Sequence, residues 1–274
     1  MPGLNWLISY PRSGSTWSRV ALWSLANDGA SADKIEVFGR IAADRALLDD
    51  MLDCDSGSLN HEELEALRPA LHRALAEAEA WPLIKVHDAW RRTVSGEPVH
   101  DPALTRAAIY VVRDPRDVAL SWAHFMGRSV DWAIDFMNDP GARVSGGTRG
   151  INAQIPQYLD TWSTHVASWA DAGMPLLMVR YEDMLAEPEA AYRRMAEHLG
   201  LTVDDAIVAR AVEASRFGRL AEKERAHGFT PRPATTDRFF HSGQAGRWRD
   251  MLQPAQVRRI EADHGAVMRR FGYL

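Results

Sequence analysis

Four short apolar runs constrain what this chain can fold into more than any other feature. They are Asn5–Ser9 (NWLIS), Leu83–Val86 (LIKV), Ala107–Val112 (AAIYVV) and Pro175–Val179 (PLLMV). Each is of strand length, and each is apolar in a continuous run rather than on alternate residues. A strand that meets water on one face alternates; a strand covered on both faces does not. Between and after the runs, helical spacing of apolar residues predicts helices at Thr16–Ala26, Glu62–Ala80, Pro115–Phe125 and Ile155–Ala172. Strand followed by helix, repeated, predicts a doubly wound α/β fold: a parallel sheet flanked by helices. Beyond the fourth run the pattern turns helical, over Glu189–Gly200, Val203–Ala214 and Pro254–Phe271, with Gly200 as a helix stop.

Four stretches read as loops or a cap, the third and fourth expected to be mobile: Asp28–Asn60, Asp88–Asp101, Gly127–Gln154 and Ala226–Arg247. The third contains PGARVSGGTRG and the fourth HGFTPRPATTDR, rich in Gly, Pro, Ser and Thr. There is no internal repeat, and 274 residues suit one domain spanning 1–274. In helix Ile155–Ala172, Trp162 and Trp169 stand seven apart on one face and read as core.

Charge and cysteine usage exclude several functions. A net charge of -5 speaks against a nucleic-acid scaffold, which binds phosphate through clustered positive charge. The single cysteine, Cys54, excludes an internal disulfide and a cysteine-based zinc site. The start, MPGLNWLISYPRSG, carries no signal-peptide pattern, and no apolar stretch is long enough to span a bilayer. The expectation is a soluble cytoplasmic protein with neither a membrane nor a nucleic-acid partner. Lysine is rare, with only Lys34, Lys85 and Lys223, so where one is placed carries information.

Three segments carry chemistry. In WLISYPRSGSTWSR, a strand turns into a helix through Arg12, Ser13, Gly14, Ser15 and Thr16. Small residues let the backbone approach a ligand and aim N–H groups at it, and the helix start adds its positive dipole end. Arg12 adds a fixed charge, so the loop suits a phosphate or sulfate. It lacks the lysine of the Walker loop. An ordinary helix start capped by Ser and Thr remains the other reading of these residues. In AAIYVVRDPRDVALSWAHF, Arg113 stands at the end of the third strand, and Pro115 suits the first helical turn. Arg113 and Ser121 are eight apart and reach one anion only if the turn folds the helix back over the strand edge. The alternative is a surface ion-pair network of Arg113, Asp114, Arg116 and Asp117. In LIKVH, Lys85 and His87 lie two apart on a strand and so point to the same side, a cation beside a titratable imidazole.

Taken together, YPRSGSTW (Tyr10–Trp17), KVH (Lys85–His87), YVVRDPRDVALS (Tyr110–Ser121), RYEDM (Arg180–Met184), SRF (Ser215–Phe217) and GQAGRW (Gly243–Trp248) resemble one family in order and spacing. It is the sulfotransferases that use 3′-phosphoadenosine 5′-phosphosulfate (PAPS) and release the bisphosphate PAP, and the resemblance runs over nearly the whole chain. It implies that Arg12, Ser13, Gly14, Ser15 and Thr16 hold the 5′-phosphosulfate and that Trp17 stacks on adenine. It implies that Arg113 and Ser121 bind the 3′-phosphate, with Tyr181, Ser215 and Phe217 lining the adenine pocket. His87 would be the general base, with Lys85 and Arg12 stabilising charge on the transferred group. Direct in-line transfer without a metal is expected, as in phosphoryl transfer.

The chain departs from the family twice. Arg12 stands where cytosolic members carry lysine, and arginine serves as an electrostatic clamp rather than as an acid. At the 3′-phosphate, His241, Ser242 and Gly243 align with the family's Arg-Lys-Gly, so one cation is missing unless His241 is protonated. Arg238, Arg247 and Arg249 are nearby candidates to replace it. The expected acceptor is a hydroxyl of a small or medium organic molecule, covered by aromatics among Trp90, Trp122, Phe125, Trp132, Phe136, Phe229, Phe239 and Phe240. The chain also resembles bacterial sulfotransferases that tailor glycopeptide antibiotics, and its arginine-rich usage fits a high-GC bacterial source. The rival readings are an ATP-dependent, P-loop kinase-like enzyme and a nucleotide-binding protein of this fold without turnover. Assembly is open, a homodimer included.

Overall fold

Each apolar run becomes a strand, displaced at its ends by two residues at most. The structure is a computed structural model and describes residues 3–78, 83–145, 152–231 and 235–274. The strands are β1 (Leu4–Ile8), β2 (Arg40–Ile41), β3 (Leu83–Val86), β4 (Thr105–Val112), β5 (Arg143–Val144), β6 (Gln157–Tyr158) and β7 (Leu176–Arg180). The helices begin with α1 (Ser15–Ala26), α2 (Arg45–Leu52), α3 (His61–Ala78), α4 (Pro115–Met126), α5 (Val130–Met137) and α6 (Trp162–Ala170). They continue with α7 (Tyr181–Ala186), α8 (Pro188–His198), α9 (Asp205–Ala214), α10 (Phe217–His227), α11 (Trp248–Met251) and α12 (Pro254–Arg270).

The described residues group into two compact units. The first comprises Met1–Tyr10, Gly39–Tyr110 and Asn138–Met178, and the second Pro11–Phe38, Val111–Met137 and Val179–Leu274. The first holds the parallel sheet in the order β2-β3-β1-β4-β7, and the chain passes into the second unit within β4 and within β7. β1 lies at the centre, with Asn5–Ile8 beside Leu83–Val86 on one side and Ala107–Tyr110 on the other. All five β1 residues are buried, which is why the run has no alternation. α3 packs on β1, and the indole of Trp6 donates to Thr105 Oγ1 at 2.9 Å while its ring meets His72 and His100 edge-on. In the second unit, α1 packs on α8 and α9, and α4 on α5, α11 and α12.

The structure corrects the expected elements in places. Helix Ile155–Ala172 begins only at Trp162: Asp160 takes a left-handed φ of 59°, the Thr161 hydroxyl caps the helix by accepting from Thr164 N–H, and Gln157–Tyr158 is strand β6. Trp162 and Trp169 are both fully buried, as expected. Gly200 ends α8 at a φ of 74°, with Leu201 N–H closing on the Ala196 carbonyl. The stretches read as loops contain β2 and α2 (Asp28–Asn60) and α5 and β5 (Gly127–Gln154), while α7 and α10 were not foreseen. The end of the helix expected at Glu62–Ala80, residues 146–151 of the glycine-rich stretch and residues 232–234 of the fourth stretch lie outside the described residues. Among the described residues no helix is long and apolar enough to cross a membrane.

Candidate active site

The first unit carries Lys85 and His87. Ile84 and Val86 are fully buried on one face of β3, so Lys85 and His87 project on the other, and both are half-buried. The His87 ring is oriented by Ser9, just past β1: Nδ1 lies 2.8 Å from the Ser9 carbonyl oxygen. A carbonyl only accepts, so Nδ1 carries the proton and, in the neutral ring, Nε2 is left with its lone pair. That is the form a general base requires.

The second unit carries the loop Pro11–Gly14 and the helix it feeds. Arg12 and Gly14 both take left-handed backbone, at φ 72° and 110°. Gly14 is required twice over, because a Cβ there would also lie 2.8 Å from the Tyr181 ring. Ser13 is 1% exposed and its hydroxyl has no hydrogen-bond partner. The twelve-residue α1 starts at Ser15 with no acidic residue in its first turn, so the N–H groups of Ser15, Thr16 and Trp17 have no carbonyl within the helix. A buried unpaired hydroxyl beside a helix start is the chemistry of an anion seat.

Arg12 extends from this loop, and Arg113 closes on it. Arg12 Nε donates to Ser121 Oγ at 3.2 Å, and its guanidinium lies over Phe125 and Phe239, 4.3 and 4.8 Å from the ring centres. Burial, and then the charge of Arg113, lower the Arg12 pKa to about 10, which leaves it charged at neutral pH. Arg113 donates to the Arg12 carbonyl (3.2 Å) and the Gln244 carbonyl (2.9 Å) and lies over the Tyr181 ring, with its buried Nε unpartnered. Arg113 and Ser121 are thus brought together through Arg12. The surface ion-pair alternative does not hold: Arg116 pairs with Asp114 and Glu261, but Arg116 and Asp114 are buried, and Asp117 instead accepts from the N–H groups of Gly246 and Trp248.

Trp17, Tyr181, Ser215 and Phe217 also assemble. The Trp17 indole donates to the Ser215 carbonyl at 2.9 Å and meets Tyr181 and Tyr192 edge-on, and Ser215 Oγ pairs with Tyr192. Gly243, at φ 59°, presses on Phe217 so closely that a Cβ would sit 2.2 Å from its ring. Ser242 beside it is half-buried. His241 is exposed and stacks on His124, ring centres 3.9 Å apart. Partial burial and their cationic neighbours lower both imidazole pKa values; Arg12 and Arg247 act on each, and Arg238 also on His241. His241 is therefore a neutral ring at pH 7, and the cations near it are arginines. The segment is held from behind by Glu224, which accepts from the N–H groups of Phe239 and Phe240.

Reading the sequence did not single out His124, Gln244 or Glu224. Nothing in a linear motif marks a carbonyl ligand or a stacking partner more than a hundred residues away.

A family profile for the sulfotransferase domain matches residues 5–272. The chain belongs to the sulfotransferase family. It is the PAPS-using family that the motifs resemble, and the enzyme is a sulfotransferase. Among curated relatives, this sulfotransferase is 22% identical to Sulfotransferase 1C2 of Oryctolagus cuniculus over 93% of its own length and 79% of the relative's. It is 23% identical to Sulfotransferase 1A1 of Canis lupus familiaris over 96% of this chain and 83% of that one. Mouse sulfotransferase SULT7A1 complexed with PAP has the same fold (TM-score 0.63, 18% identity, 98% of this chain and 84% of that chain). So does retinol dehydratase in a complex with retinol and PAP (TM-score 0.64, 20% identity, 97% and 81%).

The aromatic residues of this sulfotransferase divide. Phe229, Phe239 and Phe240 pack around Val20 and Leu220 as core, and Trp90 Nε1 donates to the His100 carbonyl. Trp122, Phe125, Phe136 and Trp132 form a stacked row along α4 and α5.

Proposed function

We propose that this sulfotransferase moves the sulfuryl group of PAPS to a hydroxyl of a small or medium organic acceptor, with the chain working as one domain over 1–274. The observation that carries the reading is the anion seat of Arg12–Thr16: a buried, unpartnered Ser13 hydroxyl beside an α-helix start, in a loop that carries Arg12 and whose Arg12 carbonyl accepts from Arg113. Arg12, Ser13, Gly14, Ser15 and Thr16 receive the 5′-phosphosulfate. Arg113, Ser121, His241, Ser242 and Gly243 receive the 3′-phosphate, its positive charge coming from the arginines. Trp17, Tyr181, Ser215 and Phe217 hold adenine. The acceptor oxygen attacks sulfur as His87 Nε2 takes its proton; the bond from sulfur to the 5′-phosphate oxygen breaks, and PAP leaves with the electron pair. Lys85 and Arg12 meet the negative charge that gathers on the sulfuryl and leaving oxygens. The row Trp122, Phe125, Phe136 and Trp132 favours an aromatic or bulky apolar acceptor, consistent with the retinol and androsterone named in complexes of the same fold. Tailoring of a natural product fits an acceptor of that size.

The test is thermal stabilisation by PAP beside ATP with Mg²⁺ and 5′-AMP. A ligand at about 100 times its Kd stabilises by about 2.7 kcal/mol. Stabilisation by PAP alone supports the reading; stabilisation by ATP alone replaces it with the kinase-like one. PAPS consumption with 2-naphthol or a primary alcohol then separates an enzyme from a nucleotide binder without turnover.

A further inference from the structure

The ring of His87 reaches the Ser9 carbonyl only if the backbone of residue 87 is fixed, and that backbone is held by α6. His165, fully buried on α6, has Nε2 2.8 Å from the His87 carbonyl oxygen. The oxygen only accepts, so Nε2 bears the proton, and Nδ1 must accept from the Tyr110 hydroxyl, 2.7 Å away on β4. Burial lowers the His165 pKa to about 4, so the ring stays neutral and its two hydrogen bonds have one direction each. One turn further along α6, Trp169 Nε1 donates to the Asp88 carbonyl at 2.8 Å, and Ser168 Oγ accepts from Trp90 N–H at 3.0 Å. The Asp88 carboxylate is itself clasped by the two terminal guanidinium nitrogens of Arg68 and accepts from Tyr158 N–H. Residues 87, 88 and 90 are therefore gripped from one face of one helix, immediately behind the imidazole.

We propose that His165 is a positioning residue for sulfuryl transfer: through the carbonyl of residue 87 it fixes the backbone from which the His87 ring donates to Ser9 and presents Nε2 to the acceptor. The inference rests on the reading of His87 as the general base. A misplacement of about 1 Å at such a group costs on the order of 100-fold in rate. A deletion behind the base should therefore be felt in kcat and leave nucleotide binding alone.

The experiment uses the full chain, PAPS and 2-naphthol, with three variants. H165F removes both hydrogen bonds, H165Q keeps an N–H donor and a carbonyl acceptor, and V166A removes buried volume from the same helix without touching residue 87. Nitrogen-15 NMR of the imidazoles reports which His87 nitrogen carries the proton, independently of turnover. Wild type and H165Q should show His87 protonated at Nδ1, and H165F a mixture of the two tautomers. kcat should fall by about 100-fold in H165F, with the Kd for PAP within twofold, return to within about tenfold in H165Q, and hold within about threefold in V166A. An unchanged His87 tautomer in H165F, or a kcat loss in V166A matching that of H165F, overturns the proposal. So does an insoluble H165F together with an H165Q whose kcat is no better than about 1% of wild type. His87→Ala separates the two levels of the argument: if it retains wild-type turnover, the base reading itself has failed, whatever the tautomer of His87 shows.

Discussion

Mild acidification should destabilise the protein through the buried histidines of the first unit. His72 and His165 are fully buried there, and burial lowers their pKa values to about 3 and about 4. His100, between Trp6 and Trp169, is driven well below 6.5 for the same reason. The folded state thus refuses protons that the unfolded chain, with histidine pKa near 6.5, accepts. Stability is complete above pH 6.5 and is lost progressively as pH falls from there towards 4. At pH 5, about 1.5 units below the unfolded value, each of these rings costs about 2 kcal/mol, so His72 and His165 together remove about 4 kcal/mol. That is a large fraction of the 5–15 kcal/mol typical of a folded protein. Glu65, whose pKa burial raises, works in the opposite direction and offsets part of this loss as it takes up a proton. The assay is urea unfolding followed by tryptophan fluorescence, since Trp6 and Trp169 are buried in this unit, at intervals from pH 7.5 to 5. The slope near pH 5.5 should approach about 1.4 kcal/mol per pH unit for each of His72 and His165, about 3 together, with His100 acting in the same direction. A free energy of unfolding that is flat from pH 7 to 5 would refute the reasoning.

Further expectations concern single residues. Arg68→Met strands the fully buried Asp88 carboxylate and should lower unfolding free energy by about 3–5 kcal/mol, read by urea titration. Gly14→Ala combines a forbidden φ with a clash against Tyr181, so PAP binding measured by calorimetry should weaken more than about tenfold, with about 1–3 kcal/mol of stability lost. Arg113→Ala should shrink the preference for PAP over 5′-AMP by at least about tenfold, the loss of one charged hydrogen bond, whereas an unaltered ratio removes Arg113 from the 3′-phosphate. Because both imidazole pKa values of the His124–His241 stack are lowered, both rings are neutral from pH 7 to 8, and PAP affinity should stay flat over that range, read by calorimetry. His241→Arg, which supplies a fixed charge, should bind PAP more tightly than wild type by about tenfold at pH 8, and an unchanged Kd would remove residue 241 from the 3′-phosphate.

The strands were legible because the sheet buries both faces of β1, of β3 apart from Lys85 and of β4 apart from its first two residues, leaving apolar runs without the spacing of an amphipathic helix. The start of α6 was not, because Ile155, Leu159, Trp162 and Val166 repeat at three- and four-residue steps and are all buried while the first two lie outside the helix. Period reports which residues are buried, and only Thr161, a cap, shows where the helix begins. At the site, Arg12–Trp17 and Lys85–His87 were readable since each group is contiguous. Phe125 and Phe239 over Arg12, His124 under His241 and His165 behind His87 come from distant segments, and only the folded chain joins them.

The Ser9 carbonyl at His87 Nδ1 has a bearing on which hydroxyls react. A carboxylate in that position would meet the new imidazolium with a full opposite charge; a carbonyl meets it with a dipole. A proton then leaves the acceptor with less help from behind the base, and more of the driving force must come from the acceptor's own acidity. Across a series of substituted phenols the rate should climb steeply with leaving-proton acidity, and aliphatic alcohols should trail the least acidic phenol. The choice between phenol and alcohol, on this view, is made partly by one main-chain oxygen and not only by the shape of the pocket.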